Sequence, residues 1–468
     1  MTIALSQFRD RPVGVLGLAK SGRATMAALK AGGARGLGWD DGEAARVATQ
    51  SEGGNIAPPE TWPWPTLAAL VPSPGIPASH PLFARAAAER VEVVGDVELL
   101  WRAQPEAGYV GITGTNGKST TTALIAHVLK RAGLEVEVGG NLGTPALALA
   151  PLGRKGHYVL ELSSFQLDLT LRMSLDVAVL LNITPDHLDR HGGMAGYLAA
   201  KKKIFRAGRL RTAIVGVDDE PSREIAAELS RDAVLEVVPV SIDRAPARGV
   251  GIIDAVIHED RRPVLDLRAA RALPGRHNWQ NAGAAFAAAR ALGLDPNAIG
   301  PGIQSFPGLA HRIETISVID GVRYINDSKA TNADAAARAL DCFDAIYWIA
   351  GGRPKAGGIN SLRPYFKRIA KAYLIGEAEA EFAATLDGAV PYRRCGTLAA
   401  ALSAAREDAR AEKRPSPVVL LSPACASYDQ FANFEARGEA FRRLVQEFAS
   451  HRGPSSDTRP DLSRRAAP

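Results

Sequence analysis

Cysteine is scarce in this chain. Cys342, Cys395 and Cys425 are the three among 468 residues, and they lie too far apart to suggest a metal-ligand or redox spacing. A disulfide framework is thereby excluded, a reducing compartment is favoured, and the cytoplasm is the expected location. Long apolar runs are missing too. No stretch reaches the roughly eighteen residues that a membrane helix needs, and Arg9, Asp10 and Arg11 break the apolar start, so neither a membrane span nor a signal peptide is expected. Charge of one sign is also lacking. With 56 basic and 50 acidic residues the net charge is +6, too mild for a nucleic-acid partner but suited to an anionic small-molecule substrate. No repeat of solenoid period is evident, and a monomer is expected.

What the chain does contain is an alternation of strand-length apolar runs with alanine-rich helical stretches, the pattern of parallel sheets covered by helices, so the class is α/β. The length allows about three domains. Residues 1–96 form a Rossmann-like unit, 97–308 a central phosphate-loop unit with a mainly parallel sheet, and 309–451 a second Rossmann-like unit. From 452 to 468 the composition is Gly, Pro, Ser and Arg with almost no large apolar residue, and disorder is expected.

The segment Tyr109 to Thr120 reads as a strand, a glycine-rich turn and a helix start. Gly111, Gly114 and Gly117 permit backbone angles that let successive N–H groups converge on phosphate oxygens at a helix N-terminus. Lys118 adds a mobile positive charge, and the hydroxyl of Ser119 or Thr120 is placed for Mg2+. The strict P-loop pattern wants glycine five residues before Gly117, and Ile112 stands there. An ordinary strand–helix turn is the bland alternative.

Other polar groups sit at predicted strand ends, where ligands bind in open α/β sheets. In the first unit, Gly17 to Gly22 followed by Asp40 resembles half of a dinucleotide fingerprint. Ala19 stands in place of the second glycine, which disfavours a nicotinamide enzyme and leaves another nucleotide diphosphate, or a purely structural turn, open. In the second, Glu161, Asn182, Asp186, His187 and Asp218 gather near the phosphate loop, and Glu161 and His187 are candidate metal ligands. Asn278 and Asn281, three apart on one helix face, are candidates to read a base edge, with N-capping as the plain alternative. In the third, Asn326 to Asn332, Gly351 to Lys355 and Leu421 to Ser427 place lysines and hydroxyls at three strand ends, a site for a small carboxylate.

Together, Gly114 to Thr120, Glu161 to Ser164, Asn182 to His191, His277-Asn278, His311-Arg312 and Asn326 to Asn332 resemble the Mur ligases, ATP-dependent amide-forming enzymes of peptidoglycan synthesis. Ser73-Pro74-Gly75, Asp327 to Asn332 and Leu421 to Phe434 resemble the members that add D-glutamate. The resemblance implies that the first unit holds the UDP end of UDP-N-acetylmuramoyl-L-alanine through Ser21, Asp40, Ser73, Pro74 and Gly75, with Asn141 and His187 also on that substrate. ATP would meet Gly114, Thr115, Asn116, Gly117, Lys118, Ser119, Thr120, Asn278 and Asn281, with Arg312 and Asp327 reaching it when the third unit closes. Two Mg2+ ions would be held by Ser119, Thr120, Glu161, His187 and Lys201, the lysine carrying a carbamate. D-Glutamate would meet Lys329, Thr331, Lys355, Ser427 and Phe434. Lys118, His187, Lys201, Arg312 and Lys329 are the implied catalytic residues.

The implied reaction activates a carboxylate as an acyl phosphate before an amine attacks it, and feeds cell-wall biogenesis, cell shape and division. Around Gly351 to Ile359 the chain lacks the acidic residue and the aromatic that often accompany that lysine in relatives. Rival readings are another Mur-type or a folylpolyglutamate-type ligase, which would share the central site, and a non-catalytic nucleotide-binding regulator.

Overall fold

Runs rich in Val, Ile and Leu that are buried on both faces become central strands here, because only a sheet covered by helices on both sides can bury them. In the computed structural model, which describes residues 2–355 and 357–450, eighteen strands form three sheets. The expected tail at 452–468 lies outside the described residues.

The chain divides after residue 306 into two units. The first unit contains two sheets. One is small and parallel: β1 (Pro12–Leu16) lies between β2 (Arg35–Trp39) and β3 (Ala69–Pro72). The helix Lys20–Ala31 covers one face, and Trp62 and Trp64 pack on the other. The sequence alone suggests a helix from about Ala24, and the helix begins four residues earlier, at Lys20.

The second sheet has nine strands. They are β4 (Gly108–Thr113), β5 (Glu135–Gly140), β6 (Gly156–Glu161), β7 (Val177–Leu180), β8 (Thr212–Gly216), β9 (Glu236–Ser241), β10 (Val250–Ile253), β11 (Val256–Glu259) and β12 (Arg262–Asp266). Their order is β12-β11-β10-β9-β8-β7-β4-β6-β5, parallel from β5 to β10 and finished by an antiparallel meander. β4 is central, flanked by β6 and β7, so the loops after these three strands converge. The alanine-rich helix Arg276–Ala291 is buried along most of its length because its small side chains let it lie close to its neighbours.

The second unit, from residue 307, holds β13 (Glu314–Ile319), β14 (Val322–Asn326), β15 (Ile346–Gly351), β16 (Ile369–Ile375), β17 (Tyr392–Gly396) and β18 (Val418–Leu421) in the order β13-β14-β18-β15-β16-β17. All its pairings are parallel except β13 with β14. Apolar clusters lie on both faces, one around Trp348 and Phe382, the other around Tyr373 and Phe441.

Candidate functional site

The phosphate loop follows β4, and the helix Lys118–Arg131 starts immediately behind it. Gly117 is left-handed at φ +84°, and a Cβ there would stand 2.3 Å from Asn281 Oδ1, so only glycine fits. Asn281 is buried behind the loop. Its Oδ1 accepts from Thr121 Oγ1 at 3.1 Å, and its Nδ2 donates to Asn278 Oδ1 at 3.0 Å. Asn278 in turn donates to Pro274 O. The two amides therefore brace the helix start from behind.

Asn182, two residues past the end of β7, ties the loop down in front. Its Oδ1 accepts from Asn116 N at 2.9 Å and its Nδ2 donates to Asn116 O and to Gln280 Oε1, while Thr115 N donates to Asn182 O. Gln280 continues the chain of amides to Asp218 Oδ2. Thr115 Oγ1 lies 3.0 Å from Tyr197 Oη. Lys118 Nζ folds back onto Gly114 O and Thr115 O at 2.9 and 2.8 Å. The loop is thus held open and rigid by its neighbours, as a cradle for a flexible anion must be.

Two charged groups beside it are buried. Glu161, at the end of β6, is 2% exposed. Its Oε1 accepts from Asn141 Nδ2 at 2.6 Å, and its Oε2 has no hydrogen-bond partner among the described residues. Lys201 is 1% exposed, donating to Gly114 O at 2.8 Å and lying 4.7 Å from the Tyr197 ring centre. Burial, and then the nearby Lys118 charge, push its ammonium down to about 7. His187 is different: it is left-handed, half exposed, 3.5 Å from Asp186, and its ring is tilted by 53° against Phe165. Among the described residues no three His, Cys, Asp or Glu side chains cluster as a ready-made metal cage.

At the carboxyl ends of β1 to β3, Asp40 Oδ2 accepts from Leu18 N at 2.6 Å and Ser73 Oγ donates to Gly17 O at 2.9 Å. A Cβ on Gly22 would stand 1.8 Å from Gly17 O, so the helix carrying Ser21 packs against the turn. Pro74 and Gly75 follow at the surface, and Arg190 Nη2 donates to Ile76 O at 2.5 Å, linking this edge to the segment that carries His187.

In the second unit the loops after β14, β18 and β15 meet. Asp327 is buried, with Oδ2 accepting from Ser422 Oγ at 2.7 Å and Oδ1 from Ile313 N. Burial pushes its carboxyl up to about 7 against those hydrogen bonds and the Arg312 and Arg437 charges. Lys329 Nζ lies 4.6 Å from the Phe434 ring centre. Thr331 stands two residues on, Ser427 is buried in the loop after β18, and Lys355 is exposed.

Sequence reasoning missed the residue that organises this region. Arg437, 1% exposed, donates to Ser328 O, Ser328 Oγ, Cys425 O and Ala426 O, pinning two of the loops together. An arginine in an amphipathic helix reads as a wet face, and only its position three residues after Phe434 hinted otherwise. Gln280 escapes sequence reasoning for the same reason: it is one polar residue among helical neighbours.

The fold and site define a class of protein. This is an α/β protein with a phosphate loop in its central sheet and a further parallel-sheet unit after it. The sequence matches the Mur ligase middle domain over residues 112–289 and the Mur ligase glutamate ligase domain over 311–425. It is 53% identical to the UDP-N-acetylmuramoylalanine--D-glutamate ligase of Paramagnetospirillum magneticum, over 95% of this chain and 98% of that protein. To the enzyme of the same name from Rhodospirillum rubrum it is 52% identical, over 96% and 97%. The chain belongs to the Mur ligase family. The fold agrees: the UDP-N-acetylmuramate-alanine ligase of Thermotoga maritima superposes with a TM-score of 0.60 at 18% identity, covering 94% of this chain and 100% of that one.

Proposed function

We infer that the protein is an ATP-dependent, ADP-forming ligase that joins D-glutamate to UDP-N-acetylmuramoyl-L-alanine in peptidoglycan synthesis. The observation that carries this reading is identity of about half the residues, over nearly the whole length of both chains, to ligases named for that reaction.

The chemistry follows from charge. A carboxylate resists attack by an amine until one oxygen becomes part of a leaving group. An alanyl carboxylate oxygen therefore attacks the γ-phosphorus of ATP, the bond to the ADP oxygen breaks, and an acyl phosphate forms. The amine of D-glutamate then adds to the acyl carbon, gives up a proton, and phosphate departs as the C–O bond breaks. Loop N–H groups from Gly114 to Ser119 bind the phosphates, Lys118 swings from its carbonyl partners to the transferring group, and Arg312 supplies further positive charge. Asp40, Ser73 and the turn at Gly17 hold the UDP end. Lys329, Thr331, Lys355, Ser427 and Phe434 bind D-glutamate, with Arg437 keeping their loops in place.

Mg2+ fits the first unit, since a buried carboxylate oxygen without a partner, Glu161 Oε2, is a group that a cation satisfies. Ser119, Thr120, Glu161 and His187 would hold two such ions, which would offset the repulsion between anionic reactants. Lys201 suits a carbamate because an amine held near neutrality by burial is partly unprotonated. Its lone pair adds to CO2, a proton leaves, and a cation becomes an anion able to ligate metal. The reading places the protein in the cytoplasm as a monomer. No helix among the described residues is long and apolar enough to cross a membrane.

Mass spectrometry of the product tests the reading. With ATP, Mg2+ and both substrates, the UDP-sugar should gain one glutamyl residue for each phosphate released. Phosphate released without any gain in mass would refute it.

A further inference from the structure

Asp40, Ser73 and the turn at Gly17 occupy the carboxyl ends of β1 to β3. Toward the opposite end of that small sheet, a cavity of about 480 Å3 surrounds the outer edge of β2, a size in the range that takes small ligands. Met26 and Leu37 give it apolar wall, and Arg23, Lys30, Arg35 and Glu52 give it charge. Arg23 and Glu52 answer each other at 3.1 Å. Lys30 and Arg35 have no carboxylate partner among the described residues, so the cavity keeps two unanswered positive charges. The Lys30 ammonium lies over Gly53, where a Cβ would stand 2.7 Å from it.

The backbone of β2 supplies a second, independent observation. In the pairing with β1, Arg35 and Trp39 bond inward: Arg35 N donates to Arg11 O, and Gly17 N donates to Trp39 O. Gly38 therefore faces outward. Its N–H donates to Asn55 O at 2.9 Å and its C=O accepts from Ala57 N at 3.1 Å. Gly36, two residues earlier, faces the same way and lines the cavity, and neither its N–H nor its C=O has a protein partner among the described residues. One donor and one acceptor on a strand edge, spaced as a single residue presents them, match one residue of an extended peptide. The Asn55–Ala57 cover at Gly38 limits such a peptide to about two or three residues.

We propose that this cavity binds a short acidic peptide segment in extended conformation, with one residue paired to Gly36 and its carboxylates on Lys30 and Arg35. The charges select an anion, and the open strand edge selects a peptide over a phosphate or a nucleotide. The site is distinct from the substrate end, since Gly36 and Asp40 are about 13 Å apart along β2. It shares with that end the helix Lys20–Ala31, which carries Ser21 in its first turn and Lys30 in its last.

The test reads binding, so it stands or falls separately from the ligase reading. The full chain labelled with 15N-glycine is titrated with N-acetyl-Glu-Glu-amide, and with N-acetyl-Gln-Gln-amide as the neutral control. Saturable shifts of the Gly36, Gly53 and Gly54 amides are expected, with affinity at least about tenfold weaker for the neutral peptide and for the Lys30→Glu/Arg35→Glu double variant. Lys30→Gln/Arg35→Gln serves if charge reversal disturbs folding. Absence of shifts, equal affinity in the variants, or shifts confined to glycines outside the cavity would overturn the proposal. So would a dimer that the double variant dissociates, because the edge would then belong to a second copy of the chain.

Discussion

Glu161 and Lys201 pose the sharpest question at the scale of single residues, because both are charged groups held under 3% exposure without an opposite charge bonded to them. Burial of that kind is costly unless a ligand or a modification answers it. Glu161→Gln should lower turnover by about 100-fold or more and raise the Mg2+ concentration needed for half-maximal rate. An unchanged Mg2+ response would remove Glu161 from the ion. Lys201→Ala should lose activity that added formate or acetate partly restores, and failure of every small carboxylate would count against the carbamate. The sequence made Glu161 and Lys201 visible, the first by its strand end and the second by resemblance alone. It could not show why a lysine would tolerate burial, since that depends on Thr113 and Gly114 at the end of β4 meeting it on one side while Tyr197 lies beside it one turn back on its own helix.

At the scale of elements, the phosphate loop depends on amides from two neighbouring segments. Asn182→Ala removes its side-chain bonds to Asn116 and Gln280. The expected cost is roughly 1–3 kcal/mol of stability, together with a raised KM for ATP. Thermal unfolding with and without nucleotide checks it, and an unaltered melting temperature and KM would mean that the loop holds its shape without this residue. Much of this was legible: the strand, turn and helix of the loop follow from local glycine and hydroxyl chemistry, and β18 runs from Val418 to Leu421 as its apolar run suggests. The antiparallel β10-β11-β12 meander was not, because Asp254, Ala255, Asp260 and Arg261 make its turns with positive φ and without glycine. Nor was the bracing of the loop by Asn281, whose face toward Gly117 is set by helix packing and not by its spacing from Asn278.

For the molecule as a whole, buried acids predict how stability responds to pH. Asp96, buried at the start of its helix, is pushed up to about 6, and Asp327 to about 7, in both cases chiefly by burial. A raised carboxyl pKa means the folded chain keeps a proton that the unfolded chain releases near pH 4. The contribution of these two groups is therefore fully present below about pH 4 and is lost as pH rises through 6 to 7. Asp96→Asn, which cannot ionise, should be destabilised less than wild type on going from pH 5 to pH 8, by roughly 1–3 kcal/mol. Parallel stability profiles for the two proteins would show that Asp96 is not held protonated.

On the proposed reading the reaction draws on residues of both units, since the phosphate loop lies in one and the lysine, hydroxyl and aromatic groups proposed for D-glutamate lie in the other. The most direct test is therefore ADP release from ATP and Mg2+ in the presence of UDP-N-acetylmuramoyl-L-alanine, with D-glutamate, L-glutamate, L-lysine and diaminopimelate compared as acceptors. Release that depends on D-glutamate is the predicted result. Equal or faster release with any of the other three would contradict it.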